Sequence, residues 1–222
     1  MNELLLIILA YLIGSIPTSV WVSQYFFDID IRDYGSGNAG ATNTYRVLGP
    51  KWGTLVMVTD MVKGIVAVKL ALLLPEYADT EVNLQNLQTG LGLAAVIGHI
   101  FPIWADFRGG KGVATLFGLV LGISPWTALS CVGVFLLVLY TTRFVSLSSI
   151  LASIAFPIFI LVIFNVDNPI YRIFAIAVAL MVLLSHQKNI SRLLKGNESK
   201  VPILKHRDRR RQRRKDAASG RD

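Results

Sequence analysis

"LLLIILAYLIGSIPTSVWV", residues 4–22, carries no charged side chain over its whole length. A core helix of a soluble protein shows a polar stripe, whereas some 20 consecutive apolar residues match the hydrocarbon thickness of a bilayer. Residues 113–142 are likewise free of charge. Across 222 residues the chain is 53% hydrophobic and 16% charged, with mean hydropathy +0.55; a soluble domain carries about 25% charged residues. The expected fold is all-α, a polytopic integral membrane helix bundle. A cleaved leader is not expected, because "MNELLLIILAYLIGSIP" offers Glu3 but no base and holds Gly14 and Pro17 inside its apolar run. Cys131 is the single cysteine, so no intrachain disulfide can form.

Apolar periodicity and length give helices near 3–25, 52–74, 88–105, 112–124, 126–142, 147–165 and 169–187. Seven spans result; five or six are the alternatives, because Gly122-Ile-Ser-Pro125 reads either as a tight outer turn or as a kink. Basic residues mark cytoplasmic loops. One set of loops holds Arg32, Arg46, Lys51, Arg108, Lys111 and Arg143, together with everything after His186. The other holds residues 75–88, "PEYADTEVNLQNLQ", with acids and no base. The N-terminus is therefore expected outside and the C-terminus in the cytoplasm, which requires an odd number of spans. Residues 1–200 form the membrane domain and residues 201–222 a basic tail expected to be disordered, a solvated topology anchor more than a binder of anionic headgroups. Nucleic acid is not an expected partner, since no folded reading module accompanies the charge.

The first inner loop, "YGSGNAGATN" at residues 34–43, contains Gly35-x-Gly37-x-x-Gly40. That spacing is the dinucleotide fingerprint only after a β-strand inside a βαβ unit. Here it follows a membrane helix, so the dinucleotide reading fails. Glycines still expose successive N–H groups as an anion-binding nest. Ser36, Asn38, Thr42 and Asn43 add donors and Arg46 a fixed charge, more than a plain polar turn requires. The second inner loop, "GHIFPIWADFRGGKGVAT", sets Gly109, Gly110, Lys111 and Gly112 directly before a helix, where the N-terminal dipole adds to the lysine charge. It is not a Walker A loop, because the first glycine and the final Ser or Thr are missing. In the third, "SHQKNISRLLKGNESK", His186 and Asn189 recur at helical spacing. Asp60 and Lys63, within the second span, read as a structural ion pair.

Gly14-Ser-Ile-Pro17, "GSGNAGATNTYR", "DMVKG", "GHIFPIWADFRGGKGVAT", "RFVSLSS" and "HQKNISRLLKGNESK" together resemble the bacterial acyl-phosphate:glycerol-3-phosphate acyltransferase family, the PlsY family. The resemblance runs from about residue 5 to 200. Gln187 stands where that family often has an arginine. The resemblance implies transfer of a fatty acyl group from acyl phosphate to the sn-1 hydroxyl of glycerol 3-phosphate. The products would be lysophosphatidic acid and phosphate, made in a pocket at the cytoplasmic face of the bacterial inner membrane without acyl-CoA, acyl carrier protein, cofactor or metal.

The expected catalytic set is Ser36, Arg46, Lys111, His186 and Asn189. Gly37, Asn38, Gly40, Thr42, Asn43, Gly109, Gly110, Gly112 and Ser146 are expected to bind substrate or phosphate. Donors here must hold a departing phosphate and a tetrahedral oxyanion. The base is either His186 or the phosphate of glycerol 3-phosphate, whose second pKa near 6 suits proton acceptance; the substrate is favoured because no inner-loop carboxylate belongs convincingly to the site. A transporter of organic phosphates is the competing reading, although such sites sit at the midplane between repeats. A CDP-alcohol phosphatidyltransferase would need a metal-binding aspartate cluster, which the sequence lacks.

Overall fold

The computed structural model describes residues 2–200, and the basic tail expected at 201–222 lies outside the described residues. Those residues form helices and short 3₁₀ and π turns, with no strand. The opening apolar stretch is two helices, α1 (Glu3–Gly14) and α2 (Thr18–Phe27). Asn2 starts α1 by accepting the Leu5 N–H at 3.1 Å. Pro17 breaks the run because it has no N–H and disfavours helical geometry in the residue before it. The two halves still make one apolar segment of 25 residues.

After the first inner loop come α3 (Ala41–Leu48) and α4 (Pro50–Lys69), then α5 (Glu81–Ile100), α6 (Val113–Ile123), α7 (Pro125–Thr142), α8 (Val145–Ile158), α9 (Pro169–Ser185) and α10 (Gln187–Leu194). Thr80 caps α5 by accepting the Asn83 N–H, and Asn168 caps α9 by accepting from Ile170 and Tyr171. By length and composition four segments can cross a membrane: Glu3–Phe27, Glu81–Ala105, Pro125–Thr142 and Val145–Ile163. The pair Pro169–Ser185 and Gln187–Leu194, bent by 61°, makes a fifth. The other two expected spans are helices of a different kind. In α4 the charges of Asp60, Lys63 and Lys69 dilute the apolar run, and the 11 residues of α6 rise only about 16 Å.

Two features of the loops were not expected from the sequence. The first inner loop contains an amphipathic helix, α3, and the last span turns sharply at His186 before α10. His186 thereby opens α10, three positions before Asn189.

Val68, Val96, Leu116, Leu119, Phe156, Tyr171, Phe174 and Val178 form the main apolar core, drawn from α4, α5, α6, α8 and α9. Phe156 meets Tyr171 and Phe174 edge-on, and those two rings stack. Leu6, Ala10, Ala67, Leu91 and Ala95 form a second cluster joining α1, α4 and α5. The short α6 lies hard against α4, because a Cβ at Gly64 or Gly118 would overlap the backbone of the facing helix. Val20, Ile31, Ala39 and Ala105 make a third, small cluster. It pins the first two inner loops to α2.

Candidate functional site

The first loop is shaped by Gly35 and Gly37, at φ 62° and 73°, a region that side chains other than glycine avoid. Asn43, 1% exposed, ties the turn together. Its Oδ1 accepts the Ser36 N–H at 2.8 Å, and its Nδ2 donates to the carbonyls of Ile31 and Tyr34, both at 3.0 Å. The Gly37 N–H donates to Tyr34. Two corrections follow. Asn43 is a brace inside the loop with no donor left for a substrate, and the N–H groups of Ser36 and Gly37 are already spent. What the loop presents is the N-terminus of α3, which follows Gly40, and whose first N–H groups have no carbonyl one turn back to bond. The Ser36 and Thr42 side chains beside it are exposed, as is Arg46 in the last turn of the same helix, and Asn38 and Gly40 are half-buried.

In the second loop, Gly109 and Gly110 donate their N–H groups to the carbonyls of Ile100 and His99, at 3.1 and 3.2 Å. These two glycines, expected at phosphate, spend their own N–H groups folding the loop back onto the end of α5. A Cβ at Gly109 would overlap the His99 carbonyl, so both positions are glycine because two backbones meet there. Gly112 keeps the expected position, at φ 77° as the residue that opens α6. Lys111 stands just ahead of that helix. Burial draws its ammonium down to about 8, with the Arg192 charge acting in the same direction and Glu198 against.

The third region converges on Lys111. Its Nζ donates to Asn189 Oδ1, and Asn189 Nδ2 donates to Glu198 Oε1 at 2.7 Å. Ser146 Oγ donates to the same oxygen at 2.8 Å, while Arg192 Nε holds Oε2 at 2.7 Å. Ser146, at 6% exposure, thus holds a carboxylate that anchors the segment after α10, where contact with substrate was expected of it. Glu198 itself was missed. Burial pushes it up, but the hydrogen bonds from Arg192, Asn189 and Ser146 outweigh that and hold it below the usual glutamate range. The available signal was a lone acid among Lys188, Arg192, Lys195 and Lys200.

His186 lies past the end of α9 and is 3% exposed. Its Nδ1 is 2.8 Å from the Val182 carbonyl, which can only accept, so Nδ1 carries the proton and Nε2 keeps its lone pair.

Lys111, Asn189, Ser146 and Glu198 are in direct contact, and His186 is close enough to Lys111 to sense its charge. The first loop joins them through other residues. Arg32, held at 3.0 and 2.6 Å by the Asp30 carboxylate, donates to the Ala105 carbonyl at 2.9 Å. A Cβ at Gly110 would lie 2.8 Å from the Ala39 carbonyl oxygen. Two helix N-termini, those of α3 and α6, are thereby reached from loops that touch, with Lys111 just ahead of α6 and Arg46 in the last turn of α3. Each can hold one phosphate. Among the described residues no three His, Cys, Asp or Glu side chains converge as a metal site requires.

Residues 4–196 match the family described as Glycerol-3-phosphate acyltransferase. A glycerol-3-phosphate acyltransferase of Chlorobium chlorochromatii is 40% identical over 230 residues, covering 91% of this chain and 98% of its own. One from Macrococcus caseolyticus is 42% identical over 205 residues, covering 92% and 100%. The crystal structure of PlsY, an integral membrane glycerol 3-phosphate acyltransferase, in its glycerol 3-phosphate form is similar at TM-score 0.78 and 39% identity, covering 91% of this chain and 97% of that one. Its lysophosphatidic acid form gives TM-score 0.76 at the same identity, covering 91% and 96%. The chain belongs to the glycerol-3-phosphate acyltransferase family.

Proposed function

We propose that the chain transfers a fatty acyl group from acyl phosphate to the sn-1 hydroxyl of glycerol 3-phosphate, releasing lysophosphatidic acid and inorganic phosphate. The observation that carries this reading is that the loops opening α3 and α6 touch, which brings two helix N-termini, with Lys111 ahead of one of them, to the same part of the bundle. Two phosphate sites suit two organic phosphates, and the surrounding lipid suits the acyl chain. The reaction belongs to the cytoplasmic face of the bacterial inner membrane, with the N-terminus outside, the C-terminus inside and so an odd number of spans, the orientation that the distribution of Lys and Arg favours.

Acyl phosphate is already activated, so no acyl-enzyme is needed. The sn-1 oxygen attacks the acyl carbon, the tetrahedral oxyanion collapses, and the bond from that carbon to the phosphate oxygen breaks. Lys111, Ser36, Thr42 and the two helix N-termini stabilise the charge on phosphate and oxyanion. Arg46 grips one phosphate through two parallel N–H bonds. His186 and Asn189 orient glycerol 3-phosphate. The hydroxyl proton passes to the phosphate of glycerol 3-phosphate, whose second pKa near 6 suits proton acceptance at neutral pH.

The test is synthesis by purified protein in detergent. Palmitoyl phosphate and glycerol 3-phosphate should yield lysophosphatidic acid without added metal, and Lys111→Ala or Ser36→Ala should lower turnover about 10²-fold or more in folded protein. Movement of glycerol phosphate into liposomes without acylated product would favour the transporter instead.

A further inference from the structure

Three ionisable side chains lie buried in the bundle beneath the inner loops, and the chemistry above does not use them. Asp60 and Lys63 of α4 are 2% and 4% exposed, and His99 of α5 is 8% exposed. Lys63 Nζ is 2.7 Å from Asp60 Oδ1 and also donates to the Ile16 carbonyl, at the break between α1 and α2. That carbonyl lies where Pro17 interrupts the helical ladder, so the ion pair also satisfies the broken helix. On the other side of Asp60, His99 Nδ1 stands 3.7 Å from the same Oδ1. The opposite edge of the ring meets the second loop. A Cβ at Gly110 would overlap His99 Nε2, the Gly110 N–H bonds the His99 carbonyl, and the next residue is Lys111. A cavity of about 10 Å³ separates Thr18, Asp60, His99 and Gly110, room for one water. The Thr18 hydroxyl is buried there with no protein partner among the described residues.

Buried charges in a membrane bundle are costly, and a helix-to-helix contact alone would not need an imidazole at this position. We propose that His99 is a positioning residue for Lys111: seated against the Asp60–Lys63 pair, its ring sets the height of the Gly109–Gly110 turn, and so where the Lys111 ammonium meets phosphate. The chain of contact is short and rigid. It runs from the α1–α2 break through Lys63 and Asp60 to His99, and from there through Gly110 to Lys111. This inference rests on the reading of Lys111 as a phosphate ligand.

A double-mutant cycle tests it. Kinetics with palmitoyl phosphate and glycerol 3-phosphate are compared for wild type, His99→Ala, Lys111→Ala and the double variant, with thermal unfolding in detergent as the control for folding. His99→Ala should lower kcat/KM for glycerol 3-phosphate about tenfold, a change of about 1.4 kcal/mol. In the Lys111→Ala background it should cost less than about twofold, because the group being positioned is gone. Independent, multiplying effects would make His99 a packing residue and overturn the proposal alone. Near-normal kinetics of Lys111→Ala would instead remove the reading of Lys111, and this inference with it. If His99→Ala fails to fold, Gly110→Ala takes its place in the cycle, since the added Cβ displaces the same contact; there too, multiplying effects would overturn the proposal.

Discussion

Lys111 donates to the side-chain oxygen of Asn189, 78 residues further along the chain. The contact joins the start of α6 to a helix beyond the last span, and it leaves the ammonium with a neutral amide as its hydrogen-bond acceptor. A carboxylate in direct contact would compete with phosphate; an amide oxygen orients the cation without cancelling it. The acid of the cluster, Glu198, is one side chain removed.

The alkaline limb of the pH profile should belong to Lys111. Its proton is lost as pH rises through about 8, so kcat/KM for glycerol 3-phosphate falls through that point and levels off only about a unit below it. Lys111→Arg keeps its charge past pH 12. In that variant the limb should vanish from this window, although activity at neutral pH is lower. A limb unchanged in Lys111→Arg assigns the titration to another group.

Glu198→Gln should loosen the segment after α10. The ion pair with Arg192 is lost, and Asn189 and Ser146 keep a weaker acceptor. A hydrogen bond to a charged group contributes about 1.5–3 kcal/mol, so the melting temperature should drop and kcat/KM should fall about tenfold. Unfolding scans and steady-state kinetics check both. An unaltered rate with a lowered melting temperature would separate this carboxylate from the chemistry.

Asn43→Asp should be at least as damaging as Asn43→Ala. Aspartate can still accept from the Ser36 N–H, but it sets a carboxylate oxygen against the carbonyls of Ile31 and Tyr34, where the amide donated. A buried unpaired acceptor costs more than a missing side chain. The comparison is of glycerol 3-phosphate kinetics in the two variants, and better activity in the aspartate form contradicts the brace.

Two glycines should respond in opposite directions. Gly118→Val forces a side chain into the Met61 backbone and should destabilise by about 1–3 kcal/mol. Gly90, inside α5, has open space around its missing Cβ. Gly90→Ala should be neutral or stabilising by up to about 1 kcal/mol. Thermal unfolding in one detergent measures both.

The helices were legible because long uncharged runs have one physical use in a lipid phase. The boundaries of α4 and α5 were less so, because Leu70–Leu73 and Pro75–Asp79 form 3₁₀ turns from residues that also suit a helix. At the site, residue types point to loops but do not give the direction of each bond. Glycine spacing marks where backbones bend; it does not say whether an N–H faces a phosphate, as Gly112 allows, or a carbonyl of the same chain, as at Gly109 and Gly110. The asparagines show the same limit. Asn43 turns inward and Asn189 faces Lys111, and nothing in their local sequence separates them. Glu198 went unread because its partners come from two separate segments that meet only after folding.

The 11 residues of α6 leave about half of a 30 Å hydrocarbon slab uncrossed. A helix too short to span lipid takes its depth from its neighbours, so the height of Lys111 at its start is set by α4, against which Gly64 and Gly118 seat it.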